Sequence, residues 1–597
     1  MRQLFPEVSL SLLLLTALWG HHYPVGVDLP QHAQLISILL KMNGEGPLEF
    51  ERLYRLEPFT PYLLSYGATL LVAKVVGPLA AIKLLYTAAA AALWLGLRRW
   101  LAAIGGAPEL AVLGLPAFFG FTHLWGFYSN CLALPLVFFY LVSVEKAVAT
   151  PGWRATLALA GWGALLFFSH GITFGVCMII AGLRALTVVR SRAASLTLGA
   201  HFLPLLLLVL TWLRSAPPAS AGTKGAWFFT RDRLVTLLSG YFDPWPNAAW
   251  AAGTAAAIAL FLAVARPKLN KHPAAWLAFL VPTTAFLVLP DTISATWLVA
   301  TRLCVFVQVT ALSLLAVRES TRPQLAWGAW AMAAVFLVVF NLRLAAFNDE
   351  LHGLRALAAR IPPQSDVFNL VPASDSRSRV FGRSMLGQVA AWVALEKDGF
   401  IDNDSAFYFQ MPVRRRSRQF PEWFDFSLTQ GDLPHATSVV RAHSPGALHV
   451  ATEGTWHLFQ RPPVMLGDLR VVRAAQEWGT LGINQSVTKL PLTIAGRTWP
   501  VGLGTHPRSL LRVRAVRALL LRGACGLDHG AAVHATARCL IWGDARRTVF
   551  DSGVMTRADE ARPFEVSLRE GEELVLEGVP EGPLDGTHLD WVFDPAP

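Results

Sequence analysis

LAWGAWAMAAVFLVVFNL (325–342), followed at once by RLAAFNDE (343–350), is where this chain changes solvent. A bilayer span takes about 20 mostly apolar residues, and the first stretch meets that requirement. Backwards from Leu342 to about Val8 runs a ladder of similar apolar stretches; forwards from Arg343 to Pro597 the chain has the composition of water-soluble protein. The whole chain is 54% hydrophobic and only 15% charged, where a soluble globular protein carries roughly 25% charge. Most of the Asp and Glu lie beyond Phe347. The chain is also too long for one domain.

The candidate spans are 7–22, 59–76, 77–97, 109–127, 131–147, 155–170, 171–189, 194–213, 246–265, 274–290, 295–317 and 325–342. The N-terminal run to Leu18 has no small-x-small cleavage site before His21-His22, so it is expected to be a retained first helix. Basic residues mark cytoplasmic loops: Arg154, then Arg190 and Arg192, then Arg266, Lys268 and Lys271, then Arg318 and Arg322. This places loop 214–245, the turn at Asp291 and everything after Arg343 on the outer side. Arg2 and the pair Arg98-Arg99 both ask to be inside, which two full crossings between residues 59 and 97 do not allow. Either one segment there is re-entrant or lies along the membrane, or a boundary is displaced, and the total is 11 or 13 spans.

The net charge of +11 is accounted for by span-end and surface Arg. The basic residues form no stripe interleaved with aromatics, which argues against a nucleic-acid partner. The run Arg414-Arg415-Arg416 with Arg418 is expected to be a solvated face, or to meet anionic headgroups or a lipid phosphate. Cys131, Cys177 and Cys304 fall in or beside apolar spans, while Cys525 and Cys539 form either a disulfide or two free thiols. No CxxC or His-rich ligand set supports zinc.

Residues 343–484 are expected to form a small α/β domain, with a helix at Leu354–Arg360 and strands at Asp366–Val371, 438–441 and 447–460. From about 485 to 597 helical periodicity vanishes. LRVRAV (511–516), ATARCLIW (535–542), FEVSL (564–568) and ELVLEGV (573–579) are short alternating runs between turn residues, as in a β-sandwich. The fold class is therefore a polytopic α-helical membrane domain (1–342), an extracytoplasmic α/β domain (343–484) and a C-terminal β-sandwich (485–597).

The first outer loop contains HHYPVGVDLPQH (21–32). If Pro30 opens a helix, Asp28 and His32 share one face of it, on an amphipathic segment suited to the interface. A carboxylate there is placed to act as general base toward a hydroxyl or to hold a metal ion; the plain alternative is a helix-capping Asp. Arg302 lies within an apolar run, where an ionisable group needs a partner. A phosphate suits it through bidentate contact, and snorkelling to the interface is the alternative. Asp243 and Asp291 are further acidic candidates on the outer face.

One membrane helix, an acidic outer loop, an interfacial helix and many further spans resemble the GT-C glycosyltransferases, with GFYSN (126–130), FFSHG (167–171) and TRLCVF (301–306) in the matching places. The resemblance covers about residues 1–480. The loop holds Asp28 alone rather than an Asp-Glu pair; Glu45, Glu49, Glu51 and Glu57 are scattered later. The resemblance implies transfer of a hexose or pentose from a polyprenyl-phosphate donor. Asp28 would be the base, His32 and His170 would orient acceptor or metal, and Asn130 and Arg302 would meet lipid phosphate or acceptor. A divalent cation (Mg or Mn) is an option at Asp28.

Further on, LPLTIAGRTWPVGLGTHPRSLLRV (490–513), GLDHG (526–530), LIWGDARRTVFDSGVM (540–555) and HLDWVFDPA (588–596) occur in order. They are similar to the NPCBM family of carbohydrate-binding modules. That implies a β-sandwich and glycan recognition, with Gly502 and Gly504 permitting a turn before His506. Trp499, Trp542 and Trp591 offer stacking faces, or serve as buried core. His506, Asp528, His588 and Asp590 offer a polar cluster, an internal network or a calcium site.

The expected protein is thus an inner-membrane enzyme of bacterial type. Its partners are the bilayer, a polyprenyl-phosphate sugar and a glycan or glycosylated acceptor. The rivals are a lipid-linked glycan transporter or flippase, and a non-catalytic membrane-anchored glycan-binding protein.

Overall fold

In the computed structural model the described residues are 4–215, 237, 256, 258–263, 266–293, 296–317, 319–371, 379–380, 383–402, 404–407, 411–416, 424–543 and 546–594. Asp243, Arg418, most of loop 214–245 and most of span 246–265 lie outside them.

The helical half is built from α1 (Leu4–Trp19), α2 (Leu29–Lys41), α3 (Leu48–Leu53), α4 (Leu63–Val76), α5 (Pro78–Ala103), α6 (Tyr128–Ala149), α7 (Trp153–Ser169), α8 (Gly171–Thr187), α9 (Pro273–Val288) and α10 (Arg322–Glu350). Phe202–Ser215 adds a further apolar helix. Among the described residues four helical stretches are long and apolar enough to cross a membrane: Pro78–Ala103, Tyr128–Ala149, Arg192–Ser215 and Glu319–Ala359. α5 and α6 pack closely at Gly96, where a Cβ would meet Phe138 Cβ at 3.3 Å. α10 runs beside α1, and Asn341 Nδ2 donates to Leu13 O at 3.1 Å.

Three expectations change here. Residues 109–127 do not form one span but three short helical pieces, Pro108–Leu113, Gly114–Phe118 and Phe121–Trp125. Pro116, Gly120 and Gly126 interrupt the ladder. Residues 295–317 are likewise broken, with a helix only at Cys304–Ala311 between two 3₁₀ turns. α4 has 14 residues, or ~21 Å at 1.5 Å per residue, too short to cross a hydrocarbon core of roughly 30 Å. Its two ends lie at the same end of the helical half. Tyr62, just before α4, lines a cavity with Asp28, while Lys83 near the start of α5 donates to His21 O at 2.5 Å. α4 therefore starts and ends near the segment that carries His21 and Asp28.

The α/β region has a four-stranded sheet in the order Val367–Asn369, Phe426–Gln430, Trp456–Gln460, Leu448–Glu453, with its first pair parallel. Residues 438–441 are not a strand. They belong to the helix Leu433–His443, which Asp432 caps by accepting from His435 N at 3.2 Å, with a proline in the first turn. Residues 447–460 form two strands rather than one, turning at Gly454 (φ 61°). Arg415 is buried rather than solvated. It pairs with the fully buried Asp404 at 2.7 Å, in a short ribbon where Val413–Arg415 runs antiparallel to Tyr54–Leu56.

The sandwich has a six-stranded sheet (Val464–Leu466, Leu469–Ala475, Ser509–Ala515, Glu573–Pro580, Thr536–Trp542, Thr548–Thr556) over a five-stranded one (Gly482–Ile483, Gly502–Thr505, Leu589–Phe593, Leu519–Leu527, Arg562–Leu568). Its first three strands, Val464–Leu466, Leu469–Ala475 and Gly482–Ile483, precede residue 485. Inward residues such as Leu503, Leu511, Leu576 and Trp591 form a core separate from that of the helical half. Cys525 and Cys539 are free buried thiols in that core. Gly502 and Gly504 sit in a strand rather than a turn. A Cβ at Gly504 would lie 2.3 Å from Ser486 Cα, so their role is close strand packing.

The sandwich is clamped onto the loop after α2. Glu49 of α3 accepts from Arg473 Nη1 at 3.0 Å and Arg512 Nε at 2.7 Å, and Arg473 also holds Asp366 of the α/β region through two hydrogen bonds. Glu51 pairs with Arg546, and Arg52 lies 4.7 Å from the Trp542 ring and 3.4 Å from Glu577. One short acidic-basic helix thus joins all three parts of the chain.

Candidate functional site

Asp28 stands at the N-cap of α2, and Pro30 occupies the first turn. Its side chain makes no capping hydrogen bond, so the plain capping alternative does not describe it. Its backbone is held by the turn at 120–127: Val27 N donates to Leu124 O at 3.1 Å and Asp28 N to Trp125 O at 2.9 Å. This close approach requires Gly126, at φ 84°, because a Cβ there would lie 2.6 Å from Leu29 N. His32 follows one turn later, with Nδ1 2.5 Å from Tyr66 Oη.

These groups line a cavity of about 150 Å³ with Tyr62, Trp125, Phe127, Ser129, Asn130, His170, Thr296, Trp297 and Arg302. Ser405 and Met411 of the soluble half complete its wall. Arg302 has its guanidinium 4.0 Å from the Phe127 ring centre and donates to Tyr62 Oη at 3.3 Å. Tyr62 in turn stacks on His170 with centroids 5.6 Å apart. His170 also caps α8, its Nδ1 accepting from Thr173 N at 3.4 Å, so its imidazole has a structural task as well. Asn130 Nδ2 donates to Arg302 O at 3.4 Å, while Asn130 Oδ1, Ser129 Oγ and Arg302 Nε have no hydrogen-bond partner among the described residues. On the soluble side Ser405 donates to Gln31, whose Nε2 donates to Gln388 Oε1 at 2.6 Å.

Asp28, His32, Asn130, His170 and Arg302, spread over more than 270 residues of sequence, therefore meet in one cavity. Tyr62, Ser129, Trp297 and Ser405 were not singled out from sequence. Polar side chains inside the apolar run WGFYSN (125–130) were the available signal for Ser129; Ser405 gave none. Asp291 is outside the cavity wall and accepts from Thr301 Oγ1 at 2.9 Å. Among the described residues no three His, Cys, Asp or Glu side chains gather as metal ligands. Among the described residues that line the cavity, Asp28 is the one carboxylate a divalent cation would meet.

In the sandwich the sequence candidates separate. Trp591 is fully buried core. Trp542 donates to Glu577 Oε2 at 2.8 Å and faces Arg52, so it belongs to the clamp. Trp499 carries Arg497 over its ring at 4.2 Å. Asp590 is buried beside Asp528, and burial followed by the Asp528 charge pushes its carboxyl up to about 9. Asp528 Oδ1 accepts from Gly530 N at 2.7 Å, whereas neither Asp590 carboxyl oxygen has a hydrogen-bond partner among the described residues. His506 instead joins His588 and the half-exposed Trp478, with ring centroids 5.8 to 6.0 Å apart. Burial holds both imidazoles below the usual histidine range. His588 Nδ1 and Gln476 Nε2, two residues from Trp478, have no hydrogen-bond partner among the described residues. This polar patch around an aromatic face, with Glu477, Asp528 and Asp585 close to its imidazoles, is the sandwich's candidate sugar surface.

Residues 463–593 match the family model of the NPCBM/NEW2 domain. Alpha-1,3-galactosidase B of Akkermansia muciniphila is 29% identical over 124 residues, which is 20% of this chain and 15% of that relative's length. Among solved structures, CBM51 from Clostridium perfringens GH95 in complex with methyl-galactose is 20% identical over 20% of this chain and 88% of that one, with a TM-score of 0.18. ArnT from Cupriavidus metallidurans bound to undecaprenyl phosphate is 12% identical over 76% of this chain and 97% of that one, with a TM-score of 0.43. By its own coordinates the chain is an apolar helical half joined through an α/β region to a β-sandwich. The sandwich is the part that matches NPCBM.

Proposed function

We propose that this chain is an integral-membrane glycosyltransferase of GT-C type, moving a sugar from a polyprenyl-phosphate donor to an acceptor on the outer face of a bacterial-type inner membrane. The observation that carries this reading is the convergence of Asp28, His32, Asn130, His170 and Arg302 on one cavity walled by both the helical and the soluble halves. The acceptor enters from the Ser405 and Met411 side. Its hydroxyl oxygen attacks the anomeric carbon and gives its proton to Asp28, while the carbon–oxygen bond to phosphate breaks. The polyprenyl phosphate leaves with that electron pair, and Arg302 stabilises the charge it gains. His32 and His170 orient the reactants. The Trp478 surface of the sandwich holds glycan close to the membrane half, in a pose set by the clamp at α3.

The test is sugar transfer by purified protein in lipid, offered a panel of polyprenyl-phosphate sugars, with Asp28→Asn alongside. Transfer is expected to fall by roughly a hundredfold or more in the variant while its melting temperature is kept. Wild-type protein that transfers no sugar yet moves a lipid-linked glycan between leaflets would sink the reading in favour of a flippase.

A further inference from the structure

Helix α6 begins inside the cavity, and its first turn is unfinished. Phe127, at the N-cap, offers no capping oxygen. Tyr128 N donates to Gly126 O at 2.7 Å and Cys131 N to Phe127 O at 3.0 Å, and among the described residues no backbone carbonyl accepts from the N–H groups of Ser129 and Asn130. Ser129 is 2% exposed and Asn130 1% exposed, and Ser129 Oγ and Asn130 Oδ1 are both without partners among the described residues. Both residues line the cavity. The Arg302 guanidinium stands over Phe127 beside this helix end, and its Nε has no hydrogen-bond partner among the described residues.

A helix N-terminus carries partial positive charge, and an arginine beside it adds a full one. Two such features converging on unpartnered buried donors are unfavourable unless an anion joins them. Resting on the glycosyltransferase reading, we propose that the N-terminal end of α6 is the phosphate cradle of the cavity. Ser129 Oγ and the Ser129 and Asn130 N–H groups donate to the phosphate, beside Arg302. Asn130 Oδ1 is an acceptor and repels a phosphate oxygen, so it takes a hydroxyl instead. The ligand chemistry is therefore a phosphate ester with a hydroxyl-bearing group attached. Asp28 lines the same cavity and confines the anion to the α6 and Arg302 side.

The test uses the full chain in lipid nanodiscs and measures binding of farnesyl phosphate, inorganic phosphate and farnesol to wild type, Ser129→Ala and Ser129→Asp. The expected result is farnesyl phosphate binding that weakens roughly tenfold in Ser129→Ala and is lost in Ser129→Asp, with farnesol binding unchanged in both. Unchanged farnesol binding shows that the variants fold. Farnesyl phosphate bound far more tightly than inorganic phosphate identifies a lipid ester, and equal affinities identify free phosphate at the same cradle. If both variants bind farnesyl phosphate as wild type does, the α6 cradle is refuted while the lipid-phosphate reading of the cavity stands. If wild type binds neither phosphate, both fall.

Discussion

Replacing Glu49 by Gln tests whether the sandwich is a built-in part of the assembly around α3 or a module on a tether. Glu49 is 1% exposed. Burial alone would raise its carboxyl value, but Arg512 and Arg473 outweigh that and hold it at about 2, against an ordinary 4.5. At about 1.4 kcal/mol per pKa unit, that displacement is worth roughly 3 kcal/mol. Removing one partner of a buried ion cluster costs ~3–5 kcal/mol by mutational experience, because the remaining charges stay buried. The lower end applies here, since Arg473 keeps Asp366 and Arg512 keeps Glu573. A folded value below the ordinary one means that the contribution is fully present above pH 4.5 and lost as pH falls through about 2. At pH 7 Glu49→Gln should therefore lower hydrogen-exchange protection roughly a hundredfold. The loss is expected in α3 and in the Tyr54–Leu56 and Val413–Arg415 ribbon, where Arg416 N donates to Leu53 O at 2.8 Å. Strands Leu519–Leu527 and Leu589–Phe593, inside the separate sandwich core, should keep theirs. Protection at α3 within twofold of wild type would refute the clamp.

Trp478→Ala should weaken by roughly tenfold the binding of a sugar that wild type binds in a panel of monosaccharides, measured by calorimetry on the full chain; unchanged affinity would move the sugar surface elsewhere. Asp590 has its folded value raised to about 9 from 3.8, so it withdraws stability from the sandwich as pH rises between those values. Asp590→Asn should therefore protect strand Leu589–Phe593 more than wild type does at pH 8, with a smaller difference at pH 5. Parallel pH profiles in hydrogen exchange would refute that. These expectations stand beside the Asp28→Asn transfer assay and the Ser129 binding series.

What the chain determines by itself is whatever short-range periodicity encodes. Apolar runs long enough for lipid, the helix opened by Asp28 and Pro30, and the alternating strands after residue 500 are visible because each depends on neighbours a few positions away. Arg302 was legible for a similar reason, since a charge in an apolar run demands a partner wherever it lies. Tertiary packing decided the rest. α4 has enough apolar residues for a span, yet it is too short and both its ends return to one end of the bundle. Residues 438–441 favour a strand by composition, yet Asp432 and the following proline start a helix through them. Trp542 and Trp591 look alike in sequence, but only the fold sends one to the clamp and the other to the core. The cavity depends on contacts hundreds of residues apart, such as Gln31 with Ser405 and Tyr62 with Arg302, and local pattern carries no record of which distant surfaces will meet.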